Sequence, residues 1–289
     1  MLLLGGTGQV GTALSKLKWP AHVRLTAPSR QVLDIHDKVA VDALISDRKW
    51  SCIINCAAYT AVDAAETDAT SAWQTNARGP ELLAMAAARA AIPLIHVSTD
   101  FVFDGTLHRP YRPSDLPCPI NIYGRTKAAG EDAIRRAGPR HAILRTSWVV
   151  SPFGKNFVRT ILGKVQQSQQ LRVVSDQFGR PTSALDLAAA IQTIAMHLLQ
   201  DSQHAGGTFH FANAGRVSWH ELALAITEAA HRRGLPKAQV EPVTTEQYPT
   251  AARRPRNSEL CTAGISAFGI TPRPWQTALE DIMDALTAR

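Results

Sequence analysis

Four cysteines in 289 residues are too few, and too awkwardly placed, for a disulfide framework. Cys52 and Cys56 stand four apart in an apolar run, not at the two-residue gap of zinc and redox motifs. On an extended strand they would face one side, too far apart to bridge. With Cys118 and Cys261 they read as plain thiols. Aromatic residues make up only 6% of the chain and never interleave with basic ones, as a nucleic-acid stacking platform requires. No apolar run approaches the roughly 18 residues that cross a bilayer. The opening Met1-Leu2-Leu3-Leu4 meets glycine at once, without the basic start and long apolar core of a secretory leader. Neither nucleic acid nor membrane is expected as a partner, and a cytoplasmic location is. There is no internal repeat and no low-complexity linker.

What is present is ordinary for a soluble enzyme: 45% hydrophobic and 19% charged residues, enough for one large α/β unit or one domain with a small appendage. The formal charge is +7. Basic residues are scattered apart from Arg253-Arg254-Pro255-Arg256. On charge alone an anionic small molecule and a merely basic surface fit equally.

The apolar pattern alternates strand and helix. Leu2 to Leu4 is a strand and runs into a helix ending near Leu17, before Pro20. His22 to Ala27 reads as a second strand, Val39 to Ile45 as a helix, and Cys52 to Ala58 as a buried strand. A helix from Ala72 to Ala91 is expected to be interrupted at Gly79-Pro80; Asn76 reads as a helix-surface asparagine, with a place in a proton relay as the alternative. Pro93 to Ser98 is a strand, Phe101 to Ile122 a long proline-rich loop of the kind that carries function, Tyr123 to Arg136 a helix, and His141 to Thr146 a strand. This rhythm predicts an α/β fold: a Rossmann-type, doubly wound parallel sheet. After Ser147 it loosens. Helices are expected over Asn156 to Gln167, Ala184 to Leu199, Trp219 to Arg232 and Trp275 to Ala288. The expected division is a dinucleotide-binding domain over 1–150 with a returning segment at about 183–213. A smaller substrate-binding lobe takes 151–182 and 214–289.

Gly5, Gly8 and Gly11 lie between the first strand and the first helix. Glycines let the backbone turn sharply and approach a pyrophosphate, while the helix start supplies free N–H groups and the positive dipole end. Thr7, Gln9 and Val10 offer backbone N–H groups in the same turn. A glycine cluster alone is as often an ordinary turn; its place at the strand–helix junction makes it a dinucleotide site. After the second strand an acidic residue would accept ribose hydroxyls and favour NAD, but Thr26-Ala27-Pro28-Ser29-Arg30 stands there. Ser29 and Arg30 suit a 2′-phosphate, which favours NADPH and leaves NADH open; the alternative for Arg30 is a solvated loop. Asp34, Ile35, Ala57, Ala58 and Tyr59 follow the next turns and are expected near the adenine and the nicotinamide ribose.

Tyr123 and Lys127 share one face of their helix, at i and i+4. A phenol with a pKa near 10 exchanges protons poorly at neutral pH; a neighbouring ammonium and an oxidised nicotinamide would lower that value. The pair alone is a weak signal. It gains weight behind a glycine turn and behind Ser98-Thr99-Asp100 at a strand end, because ligands of open α/β sheets bind beyond the carboxyl ends of the strands.

Four motifs, Gly5-Gly6-Thr7-Gly8-Gln9-Val10-Gly11, Asn55 to Asp63, Ser98 to Phe103 and Tyr123 to Lys127, resemble those of the extended short-chain dehydrogenase/reductases. Arg145 to Val149, Gly154 to Phe157, Asp176 to Thr182 and Arg254 to Ser258 narrow the resemblance to the dTDP-4-dehydrorhamnose reductase family. It covers nearly the whole chain. It implies reduction of the 4-keto group of a dTDP-linked 6-deoxy sugar to give dTDP-L-rhamnose, destined for a bacterial surface polysaccharide such as an O-antigen. Tyr123 would be the proton donor, Lys127 the ribose ligand, and Thr99 a hydroxyl on the carbonyl oxygen. Val62, Asp63, Asp100, Trp148, Arg254 and Asn257 would contact the sugar nucleotide; the alternatives are a core aromatic for Trp148 and a solvated patch for the arginines. Phe101 stands where many relatives have tyrosine. Ala13 and Leu185 stand where some relatives place glutamates that hold magnesium between two subunits. The resemblance therefore implies no structural metal, and a monomer or a homodimer of another kind. Two other readings remain: a reductase of another nucleotide-linked 4-keto-6-deoxy sugar, and a non-catalytic NADP-binding regulatory subunit.

Overall fold

A computed structural model describes residues 1–47, 50–138, 140–167, 170–201 and 206–288. Strands and helices alternate through β1 (Leu2–Leu4), α1 (Gln9–Lys16), α2 (Lys38–Asp47), β2 (Ile53–Asn55), α3 (Ala69–Trp73), α4 (Gly79–Arg89), β3 (Leu94–Thr99), α5 (Ile122–Ala137) and β4 (His141–Thr146). There follow β5 (Val149–Val150), α6 (Phe157–Val165), β6 (Gln170–Val174), β7 (Phe178–Gly179), β8 (Thr182–Ser183), α7 (Ala184–Gln200), β9 (Gly206–His210), β10 (Val217–Ser218), α8 (Trp219–Arg232), β11 (Gln239–Val243) and α9 (Trp275–Thr287).

The central sheet runs β1-β2-β3-β4-β9, with all neighbours parallel. The period of two along a strand sends alternate side chains to opposite layers. Leu3, Ile54, Ile95 and Leu144 join a cluster with Val10 and Leu14 of α1 and Leu187 and Ile191 of α7. Leu2, Leu4, Ile53, Leu94 and Ile143 join another with Val41 and Ile45 of α2 and Leu82 and Leu83 of α4. Helices on both faces explain why the strands read as near-continuous apolar runs. A third cluster gathers α6, α8, α9, β6 and β11, among them Ile161, Leu222, Ile226, Val240 and Ile282.

His22 to Ala27 does not form a full strand. It contributes one parallel bridge, Thr26 to Leu2, with Thr26 exchanging backbone hydrogen bonds with Met1 and Leu3. Pro20 and Pro28 bracket the stretch and shorten it. The chain thus visits the outer side of β1 at Thr26 and crosses back to β2 on the other side. The carboxyl ends of β1 and β2 form the topological switch point, where an open α/β sheet binds its ligand.

Gly79-Pro80 does not interrupt its helix. Pro80 lies at the start of α4, and a π-helical segment, Gln74–Arg78, joins α3 to α4 without a break. Pro80 has no N–H to give, so the wider turn absorbs it. The Asn76 carbonyl sits hard against α5: a Cβ on Gly130 would lie 2.1 Å from it. Gly130 thereby sets how closely α5 approaches.

Candidate active site

The turn after β1 is a cradle for backbone rather than side chains. Gly5 has φ +78, and a Cβ there would meet the Ala57 nitrogen at 2.5 Å; a Cβ on Gly11 would meet the Gly5 carbonyl at 2.1 Å. Helix α1 starts from Gly8 with no side-chain cap and no acidic residue in its first turn, so its first N–H groups are available to an anion. These features fit a dinucleotide pyrophosphate. Gln9 is otherwise engaged: its side chain accepts from Ser151 at 2.7 Å and donates to the Val149 carbonyl at 3.3 Å.

A cleft of about 940 Å³ opens at this turn and continues toward the C-terminal elements. At its inner end lie Thr99, Asp100, Tyr123 and Lys127. Thr99 ends β3. Asn121 caps α5 by accepting the Gly124 N–H at 2.7 Å, which places Tyr123 in the first turn and Lys127 one turn later. The Thr99 hydroxyl stands near the Tyr123 phenol and favours its ionised form against burial. Phe101 sets its ring edge-on to Tyr123, 5.7 Å between centroids. Gly124 permits the packing, since a Cβ there would lie 2.1 Å from the Phe101 carbonyl. Burial pushes the Tyr123 phenol up to about 12. Lys127 does not offset this, and burial pushes its own ammonium down to about 8 against the pull of Glu131 and Cys56. The lowering expected of Tyr123 is therefore absent from the protein alone. Lys127 donates to the Val97 carbonyl at 2.8 Å and meets His96 Nε2 at 3.1 Å.

Asp100 is also buried; burial pushes its carboxyl up to about 6, with the nearby Ser258 and Thr99 hydroxyls opposing. Its Oδ1 accepts from Thr99 at 3.0 Å, while Oδ2 has no hydrogen-bond partner among the described residues. Behind this row Glu131 of α5 accepts from Ser98 and Arg135 and forms a buried ion pair with Arg145 at 2.6 Å. Arg145 and its partners hold its carboxyl low despite burial, which opposes them.

At the outer end the cleft turns aromatic and cationic. Trp148 has φ +47 and stacks on Trp219, 3.6 Å between centroids and 9° from parallel; Phe157 packs obliquely on Trp219. Gly179 makes room, since a Cβ there would fall 2.6 Å from the Trp148 indole. Lys155, Lys164, Arg172 and Arg254 line the same end. Residues scattered along the sequence converge here.

The cleft brings together Thr7, Gly8, Gln9, Val10, Gly11, Ala58, Val62, Asp63, Thr99, Asp100, Tyr123, Lys127, Trp148 and Arg254. Asp63 and Arg254 hold each other in a two-pronged ion pair, 2.6 Å on each prong. Asn257 is not brought to the cleft wall: its amide donates to the carbonyls of Leu107 and Arg109 and its Oδ1 accepts from Glu259. Ser29 and Arg30 are exposed beside the switch point, with Arg30 3.8 Å from Asp34. The Ile35 side chain is core, packed on Gly79. Ala57 presents its N–H to Asn55, and Tyr59 exchanges backbone hydrogen bonds with the Asn76 amide. Asn76 is therefore not on the helix surface. It is fully buried and also donates to Thr126 of α5. Sequence reasoning missed Asn55, His96, Lys164, Arg172 and Trp219. A buried polar pair inside apolar strands was the available signal for the first two. The others had none, because elements distant in sequence, α6, β6 and α8, assemble them.

The family described as RmlD substrate binding domain matches residues 1–288. A dTDP-4-dehydrorhamnose reductase from Aggregatibacter actinomycetemcomitans is 40% identical over 286 residues, covering 98% of this chain and 97% of its own. A dTDP-4-keto-6-deoxy-D-glucose reductase from Streptomyces niveus is 36% identical, covering 99% and 97%. Among solved structures, a dTDP-4-dehydrorhamnose reductase from Bacillus anthracis in complex with NADP superposes with a TM-score of 0.90 at 34% identity, covering 97% of each chain. Among the described residues no group of His, Cys, Asp and Glu is arranged to hold a metal ion, and no helix is long and apolar enough to cross a membrane.

Proposed function

The chain belongs to the RmlD substrate binding domain family, and from that membership we propose that its cleft reduces the 4-keto group of dTDP-4-dehydro-β-L-rhamnose to give dTDP-L-rhamnose, with NADPH as reductant. The observation that carries the reading is the meeting of Tyr123, Thr99 and Lys127 at one end of a cleft whose other end is aromatic and cationic.

The nicotinamide supplies the hydride when bound. The glycine turn and the uncapped start of α1 hold the pyrophosphate, Ser29 and Arg30 the 2′-phosphate, and Lys127 the nicotinamide ribose, with Asp34, Ile35 and the Ala57 to Tyr59 turn alongside. Thr99 hydrogen-bonds the keto oxygen. Tyr123, kept a phenol by burial, gives that oxygen its proton as negative charge develops. Asp100 Oδ2, lacking a partner of its own, accepts from a sugar hydroxyl; Val62, Asp63 and Trp148 border the sugar, and Arg254 meets the diphosphate. Fixing donor and acceptor against one wall is positioning catalysis. Residues 1–150 with 183–213 serve the cofactor, and 151–182 with 214–289 the sugar nucleotide. The enzyme acts in the cytoplasm on a water-soluble anion. Ala13 and Leu185, which pack into the first hydrophobic cluster, offer no carboxylate to a magnesium ion, which supports a monomer or a homodimer of another kind.

The Streptomyces niveus relative favours a second reading, in which the epimeric 4-keto sugar is the substrate. NADPH absorbance followed with each of the two dTDP-4-keto sugars decides between them. Rapid oxidation with dTDP-4-dehydrorhamnose, yielding dTDP-L-rhamnose, is expected. Oxidation with the other sugar alone would transfer the assignment, and none with either would end it.

A further inference from the structure

Gln9 opens α1 in the glycine turn, so its N–H has no partner inside the helix and is among those offered to the pyrophosphate. Its side chain crosses to the loop that follows β5. The Phe153 N–H donates to Ser151 Oγ at 3.1 Å, that hydroxyl donates to Gln9 Oε1 at 2.7 Å, and Gln9 Nε2 donates to the Val149 carbonyl at 3.3 Å. Reversing the amide would set its oxygen against that carbonyl, which fixes its orientation. Ser151 is fully buried. Two more contacts join α1 to the same loop. A Cβ on Gly154, which has φ +61, would lie 3.6 Å from Gln9 Cγ, and the Lys16 ammonium stands 4.8 Å from the centre of the Phe153 ring. The loop is also closed on itself. The Asn156 amide donates to the carbonyls of Ser151 and Phe153, and its oxygen caps α6 by accepting the Arg159 N–H. Helix α6 then carries Phe157, which packs on Trp219, and Lys164, both in the outer wall of the cleft.

We infer that Gln9 is a positioning residue that couples the two ends of the cleft. Its backbone serves the cofactor, and its side chain pegs the loop from which the outer wall starts. A pyrophosphate that takes the Gln9 N–H fixes the peptide from which the side chain departs, and so fixes the peg. The loop is then ordered before the second ligand arrives, and the entropy of ordering it is lost once, on cofactor binding. Linkage makes the effect reciprocal: whatever the cofactor does for the second ligand, that ligand does for the cofactor. The identity of the second ligand as a sugar nucleotide rests on the reductase reading. The peg does not.

Hydrogen exchange read by mass spectrometry on the full chain, with and without saturating NADP+, tests the peg directly. In the wild type, NADP+ should slow exchange over residues 151–157 as well as in the glycine turn. Gln9→Met keeps the length of the side chain and loses both of its hydrogen bonds; in that variant saturating NADP+ should protect the turn alone. Equal protection of the loop in both proteins, or none in the wild type, would overturn the inference. Calorimetry with dTDP then reads the coupling. Saturating NADP+ should tighten dTDP binding to the wild type by about fivefold and leave the dissociation constant of Gln9→Met where it was. A wild-type constant indifferent to NADP+ would also overturn the inference. Ser151→Ala breaks the same chain of bonds from the loop side, outside the glycine turn, and should abolish the same ratio. A ratio kept in that variant would refute the path through Ser151. If the wild type binds no dTDP, the sugar-nucleotide reading fails, while the exchange data still decide for or against Gln9.

Discussion

At the inner end of the cleft the functional groups stand on a strand end and a long helix, and they are buried: Thr99 is 5% exposed, Tyr123 8% and Lys127 1%. At the outer end they stand on loops, on the two-stranded sheet of β6 and β11 and on α6 and α8, and the Asp63 side chain is 49% exposed. The inner groups are held by the body of the protein, through the α5 cap, the Phe101 ring and the Glu131–Arg145 pair. The outer groups are held by one another, Trp148 by Trp219 and Arg254 by Asp63. Chemistry needs atoms fixed before the ligand arrives. Recognition can instead exchange an internal partner for a ligand, so damage at the two ends should be distinguishable: turnover or fold at one, Michaelis constant at the other.

The largest expected effect is at the inner end. Tyr123→Phe keeps the ring contact with Phe101 and removes the proton donor. Turnover should fall about 10²- to 10⁴-fold, while NADPH affinity by fluorescence titration stays as it was. Unchanged turnover would take Tyr123 out of the mechanism. Next comes the support behind it. Glu131→Gln strands the buried Arg145 guanidinium and should destabilise the protein by about 3–5 kcal/mol in chemical denaturation. The Glu131 pKa is lowered on folding, so its contribution is present above the unfolded value of about 4.5 and lost as pH falls through the folded value. The acid limb of stability should be shallower in the variant. A wild-type limb and a variant limb that coincide would mean that Glu131 is not the group titrating there.

The same contrast explains what could be read from the sequence. Gly5, Gly8, Gly11 and the Tyr123–Lys127 pair were legible because their geometry is local: one turn, and one face of one helix. The sheet followed from apolar runs buried on both sides. The outer wall was not legible, since Arg254 meets Asp63 across 191 residues and Lys164, Arg172 and Trp219 come from separate short elements. Asn257 looked like a ligand residue through its motif, yet it secures the loop at Leu107 and Arg109. Asn76 looked like surface because a helical asparagine usually is. The π segment and Gly130 bury it. The strand at His22 to Ala27 failed because alternation alone does not count the prolines at its ends.

The outer end should respond in the Michaelis constant. Gly179→Ala drives a Cβ into the Trp148 indole, a rigid group with its other face on Trp219. Overpacking of this kind is worth about 1–3 kcal/mol. If that strain is relieved by moving Trp148, the constant for the sugar nucleotide should rise about tenfold or more, with the NADPH constant unchanged. Equal rises in both would place the disturbance in the sheet rather than at the outer wall.

The smallest expected effect is the sharpest test of exchange. Arg254→Lys keeps the charge and loses the fork that grips both oxygens of Asp63. The ion pair is partly exposed, so stability should change by less than about 1 kcal/mol. The Michaelis constant for the sugar nucleotide should still rise, by about fivefold, because a diphosphate offers the same pair of oxygens to the fork. Turnover should not move. Salt screens charge but not fork geometry, so the difference between variant and wild type should persist when ionic strength is raised. A difference that vanished with salt would reduce Arg254 to a point charge. A fall in turnover would mean that the outer end also sets the geometry of the inner one.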